Sequence, residues 1–131
     1  MPENLAKDTT FTPPRGVASA AASSLSVRSE KPESERGMTP VGIRRATQLK
    51  NQQPVSIETL RRMLGYLSRH LVDKRGETWS EKGKGWQAWN GWGGDAGARW
   101  AISVLSRYDE SWFAAWRRAP RNAALMRHVQ R

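Results

Sequence analysis

Residues 85–101 read GWQAWNGWGGDAGARWA, with four tryptophans and five glycines in seventeen positions. Aromatic residues set among glycines and basic residues suit three ends: stacking on bases, forming a binding patch, or filling the core of a domain that has few other large side chains. Trp86, Trp89 and Trp92 or Gly93 fall at three-residue steps, which predicts a short helix. Gly93 and Gly94 end it, and Asp95 is placed to cap the next one. In that second helix Ala98, Ala101, Ile102, Leu105 and Tyr108 share the inner side. The aliphatic residues between positions 41 and 108 are too few to fill a core alone, and each buried Trp removes about 150–250 Å² from water. Trp86, Trp89 and Trp100 are therefore assigned to the core, with Trp79 and Trp92 left open. Gly93, Gly94 and Gly97 let backbone pass close to indole rings or take positive φ.

Helical spacing extends in both directions. Ile57, Leu60, Leu64, Leu67 and Leu71 mark one face of a helix, widened by Met63 and Tyr66, with Ser56 as its cap and Glu58 in its first turn. Before it, Thr39 caps a shorter helix with Pro40 at the first position and Ile43, Ala46 and Leu49 or Lys50 inward. Residues 16–28 form a weak helix with a narrow stripe of Val17, Ala21 and Leu25. Its small side chains bury little and need a larger element to pack on. After Asp109 a final turn or two carries Trp112, Phe113 and Trp116 on one side. Pro120 interrupts it, and a frayed basic tail follows. Strand-type alternation and repeats are missing. The expected fold is all-α: a compact bundle of about five short helices with a disordered or extended N-terminal arm. The boundaries are an arm at 1–13, a helical domain at 14–110 with a linker at 29–37, and a basic aromatic helix and tail at 111–131.

The chain of 131 residues carries 22 Lys and Arg against 12 Asp and Glu, a formal +10. That balance favours anionic partners: nucleic acid, acidic protein surfaces or lipid headgroups. Positions 111–131 hold five arginines and no acid, which is half of the net charge. With no cysteine there is no disulfide framework, thiolate metal site or cysteine nucleophile. The start of the chain lacks an apolar signal-peptide region, and no run is long enough to span a bilayer.

VGIRRATQL, VSIETLRRMLGYLSRHLVDK and GWQAWNGWGGDAGARWA together resemble a small helical domain of tailed-phage and prophage proteins. In that family an arginine-rich helix, a His-x-x-x-Lys loop and a Trp-Gly-Gly-Asp-Ala-Gly segment recur in this order. FTPPRGVASAAASSLSVR resembles its start, so the likeness covers about residues 11–108. Some proteins with this domain look like prohead-protease or head-morphogenesis polypeptides. The resemblance implies a phage component in the virion or host cytoplasm, working with capsid, portal or other assembly proteins. The chain departs from the family pattern at His70-Leu71, where relatives have His-Glu.

The catalytic inventory is thin. His70 and His128 lie in different elements, and the Gly-rich stretch does not follow a strand, so a phosphate loop is excluded. No catalytic residue, metal site or cofactor is assigned. Two binding readings remain. The first is a non-enzymatic structural or assembly protein acting through protein–protein contacts, with Trp112, Phe113 and Trp116 as anchors; the same aromatics have a second reading as core. The alternative is a basic nucleic-acid-binding protein with Arg61, Arg62, Arg69, Arg117 and Arg118 as phosphate contacts. That alternative is sequence-neutral, or uses a divergent helix-turn-helix at 40–70 in which Thr59, Arg62 and Arg69 reach a groove. A virion protein beside packaged DNA satisfies both readings.

Overall fold

The computed structural model describes residues 9–130. The fold is all-α, with α1 (Arg15–Glu30), α2 (Pro40–Lys50), α3 (Ile57–His70), α4 (Lys84–Gly91), α5 (Gly94–Tyr108), α6 (Glu110–Trp116) and α7 (Pro120–Val129). Two short strands, β1 (Thr10–Phe11) and β2 (Val55–Ser56), pair antiparallel, with Thr10 opposite Ser56 and Phe11 opposite Val55. Residues 10–13 are thus engaged: Phe11 packs on Tyr108 at 5.3 Å, and Gln52 Nε2 donates to the Pro13 carbonyl at 2.9 Å. The expectation for residues 1–8 lies outside the described part of the chain.

The α3 helix follows its pattern. Ser56 Oγ accepts the Thr59 N–H at 3.1 Å, and Leu60, Met63, Leu64 and Leu67 are fully buried. It packs chiefly on α5, where Ala98, Ala101 and Leu105 are fully buried. The α1 helix, rich in Ala and Ser, lies against α2, α4 and α5, where small side chains let several helix axes approach one helix. Past α5, the chain does more than turn once and fray. Pro120 opens α7 at its first position, where a missing N–H costs nothing, and Leu125, Met126 and Val129 enter the core.

Segment 29–37 buries little side chain, as its composition implies, yet its backbone is held. The fully buried Gln87 accepts the Gly37 N–H on Oε1 at 2.7 Å and donates Nε2 to the carbonyls of Glu35 and Lys82 at 3.2 and 3.1 Å. Arg28 Nε donates to the Gly37 carbonyl at 2.8 Å. One satisfied amide therefore ties this irregular stretch to α4.

The tryptophans divide differently from the expectation. Trp89 is 1% exposed at the centre, and Trp92 is 9% exposed. Trp100 is half-buried against the core. Trp86 is not a core residue: it is half-buried beneath Lys82, whose Nζ lies 5.2 Å from its ring. The inner side of α4 is taken by Gln87, Trp89 and Gly91, which leaves Trp86 at the edge.

Asp95 is not a helix cap either. Gly93 holds the cap position of α5 with φ 106° and no side-chain bond, and Gly94 follows at φ 64°. The Asp95 carboxylate turns back instead, accepting the Trp89 indole N–H at 2.9 Å and facing Lys74 Nζ at 2.8 Å, both on Oδ1. His128 Nε2 from α7 lies 3.3 Å from Oδ2, off the line of a formed hydrogen bond. Lys74 is enclosed further by the rings of Trp79 and Trp89, at 5.5 and 5.1 Å. Burial alone would raise the Asp95 pKa. The Lys74 hydrogen bond and charge, the Trp89 N–H and His128 outweigh it and hold the carboxyl below its ordinary value of 3.8.

Gly93→Ala places a Cβ 2.9 Å from the Gly97 Cα, on a backbone with φ 106°. The expected cost is about 2 kcal/mol or more, read as a drop of several degrees in a circular-dichroism melt. Asp95→Asn tests the junction. A depressed folded-state pKa stabilises above the ordinary Asp value and loses that contribution as pH falls through the folded one. The Asn variant is therefore less stable than the parent at neutral pH, by about 1–2 kcal/mol after discounting for partial exposure. Urea melts then show the gap closing as pH drops below about 4; a gap independent of pH contradicts the account.

Candidate nucleic-acid interface

The packing of two helices decides which arginines face outward together. In α2, Thr39 Oγ1 accepts the Gly42 N–H at 3.2 Å, and Gly42, Ala46 and Leu49 face inward. Arg44, Arg45 and Gln48 are thereby turned to the flank. In α3 the buried Leu60–Met63–Leu64–Leu67 stripe turns Glu58, Arg62 and Arg69 outward. Between these flanks runs an open groove of about 660 Å³, lined by Arg44, Arg45, Arg62, Gln48, Gln53 and Val41 among others, with no acid in its wall.

Arg45 is the unusual member. It is half-buried, with its guanidinium 5.8 Å from the Trp92 ring centroid and one terminal nitrogen donating to Gln48 Oε1. Its Nε is buried with no hydrogen-bond partner. Burial, then the charges of Arg62 and Arg44, push its pKa below the ordinary arginine value. The nearest acid to this cluster by pairing is Glu58, 3.5 Å from Arg62 with both side chains mostly exposed, a contact of little energetic weight. A buried donor without an acceptor and three guanidiniums without a buried carboxylate make an unbalanced site that an anion would balance.

A second, smaller basic groove of about 220 Å³ lies at the C-terminal end of α3, lined by Arg69, Arg75, Arg121 and Val72. Arg62 and Arg69 are seven residues apart, hence on one helical face and roughly 10 Å apart along the axis. The two grooves share no lining residue, and α3 contributes one of these arginines to each.

The sequence-predicted residues separate. Arg62 lines the first groove and Arg69 the second. Arg61 lines neither: its Nε donates to Asp109 Oδ2 at 2.7 Å, and its guanidinium lies 5.2 Å from the Trp112 ring, so it clamps the α5–α6 junction to α3. Arg117 and Arg118 are exposed at the end of α6, Arg117 lying 5.8 Å from the Phe113 ring, and neither lines the two grooves. Phe113 is 5% exposed and faces the core. Trp112 and Trp116 are half-buried and stacked on each other at 6.0 Å.

Arg44, Arg45, Arg75 and Arg121 were missed. The signal for the first two was present: Arg44 sits opposite Gly42, Ala46 and Leu49 on α2, and Arg45 at the edge of that buried face. As for the helix-turn-helix at 40–70, α2 packs on α1 and α4, whereas α3 packs chiefly on α5 and α7. The connection between them is tied into the β1–β2 pair. The two helices thus have different main supports, unlike a helix-turn-helix, in which the first helix braces the second. Among the described residues no helix is long and apolar enough to cross a membrane. Comparison of the chain with known protein families, with characterised proteins and with solved structures finds no match.

Proposed function

We propose that this chain is a non-enzymatic binding protein whose α2–α3 arginine groove takes nucleic-acid phosphates without regard to sequence. The observation that carries this reading is Arg45: a half-buried guanidinium with an unpartnered Nε, flanked by Arg44 and Arg62. Phosphate oxygens supply the acceptors and the charge that the groove lacks. The formal +10 supports long-range attraction of a polyanion. A place in virion assembly beside packaged DNA, in the virion or the host cytoplasm, is what the resemblance read in residues 11–108 implies and is part of this proposal.

Fluorescence anisotropy with a labelled duplex tests it. Affinity should fall roughly 40- to 150-fold between about 50 and 200 mM salt if three or four phosphates are neutralised, with little dependence on sequence. Arg45→Gln with Arg62→Gln should weaken binding and flatten the salt slope by about one for each arginine replaced. No binding at low salt, or binding indifferent to both substitutions, overturns the reading.

A second reading, docking on capsid, portal or other assembly proteins, draws on the stacked Trp112–Trp116 pair, partly exposed beside Arg117 and Arg118. Aromatics next to arginines are the mixture that concentrates binding energy at interfaces. This reading expects the protein in purified virions at a fixed copy number by quantitative mass spectrometry. Its absence from virions removes the docking reading and leaves the nucleic-acid one.

A further inference from the structure

Trp92, Tyr66 and His70 form a continuous stack. Ring centroids are 4.8 Å apart at 12° between Tyr66 and Trp92, and 4.2 Å apart at 20° between Tyr66 and His70. At one end of the stack the Arg45 guanidinium, which lines the arginine groove, lies 5.8 Å from the Trp92 ring centroid. All three rings border a separate groove of about 560 Å³, which Asp73, Arg36 and Lys84 also line. Both faces of the Tyr66 ring are taken. The outer face of His70 has no ring or cation laid on it among the described residues, and its side chain is 39% exposed. Asp73 Oδ2 lies 3.1 Å from His70 Nδ1, which orients the imidazole plane.

We infer that this groove seats an unpaired nucleobase on the outer face of His70 while Arg44, Arg45 and Arg62 hold the backbone, so that the protein takes single-stranded nucleic acid in preference to duplex. The inference rests on the nucleic-acid reading and adds the form of the ligand. A flat base continues the stack as its fourth member. Asp73 disfavours a phosphate at this spot and leaves a carboxylate oxygen to accept an N–H of the base, such as N3–H of thymine or uracil. Arg36 and Lys84 on the rim suit the phosphates on either side. Part of the Arg36 fork is already used on the carbonyls of Lys31 and Ser29, which makes Lys84 the freer cation. Tyr66 has its pKa pushed up to about 12 by burial and then by Asp73, so it remains a neutral member of the stack. A duplex keeps its bases paired inside the helix and cannot present one here.

The full chain is titrated by anisotropy with oligothymidylate and oligouridylate of about 16 nucleotides, and with a duplex of equal length. Either single strand should bind more tightly than the duplex. His70→Ala should weaken the single strand roughly 5- to 100-fold and leave duplex affinity unchanged, and His70→Phe should restore it. In the unaltered protein, a 2-aminopurine placed within the oligothymidylate should lose fluorescence on binding. Equal affinity for strand and duplex, equal loss on both with His70→Ala, failure of the Phe rescue, or unquenched 2-aminopurine each overturns the inference. Duplex binding that still depends on Arg45 and Arg62 shows that the groove reading survives; no binding of any oligonucleotide shows that it has failed too.

Discussion

The bond from the Trp89 indole N–H to the Asp95 carboxylate sets the shape of the molecule. A Trp at the centre of a small fold needs an acceptor for its one donor. A carboxylate drawn out of water needs donors and a positive charge. Six residues separate the two, and they can meet only if the chain reverses sharply between α4 and α5. Gly93 and Gly94, both at positive φ, make that reversal. The carboxylate then recruits Lys74 from the turn after α3 and lies beside His128 of α7, so four separate parts of the chain converge on one corner. Trp92, just before the two glycines of the bend, packs against Tyr66 with Arg45 near its ring. The group that closes the fold and the ring beside Arg45 are therefore placed by one bend.

Around that corner the fold relies on buried polar side chains bonded to backbone. Gln87 satisfies three backbone groups of irregular chain. Ser24 Oγ donates to the Gln87 carbonyl, Ser68 Oγ to Gly65 at 3.1 Å, and Asn122 Nδ2 to Trp116 at 2.7 Å. A domain this small buries a limited apolar area. Satisfied polar contacts of this kind add little net stability, about 1 kcal/mol each, yet they exclude alternative packings that would leave those groups unpaired.

This also explains which parts of the structure were legible in the sequence. The α3 helix and its Ser56 cap, the Thr39 cap of α2 and the weak α1 stripe rest on periodicity and local chemistry, and they stand where the residues put them. Asp95 was misread because an acid after two glycines and before a helix has the local form of a cap; only the indole six residues earlier, folded back in space, reveals its other role. Pro120 was read as an interruption, although the same residue at a first helical position starts a helix as readily as it ends one. The hold on segment 29–37 was invisible because it comes from Gln87, fifty residues away from Gly37. Of the arginines, Arg61 could not be told from Arg62 without knowing that Asp109 reaches one and not the other.

That last distinction carries the functional argument. Net charge says how strongly a surface attracts anions, whereas compensation says where. Arg61 has a carboxylate and an aromatic face, and its charge is answered within the fold. Arg28 and Arg36 donate to backbone carbonyls of the 29–37 region. Arg99 Nε donates to the Val129 carbonyl at 2.8 Å, which secures α7. Among the described arginines, Arg45 alone combines partial burial, an unused buried donor and two like-charged neighbours. A leucine or methionine there would pack on Trp92 without the desolvation cost or the repulsion. A residue that works against the stability of its own surroundings, in a groove open to solvent, is best explained by what the groove receives.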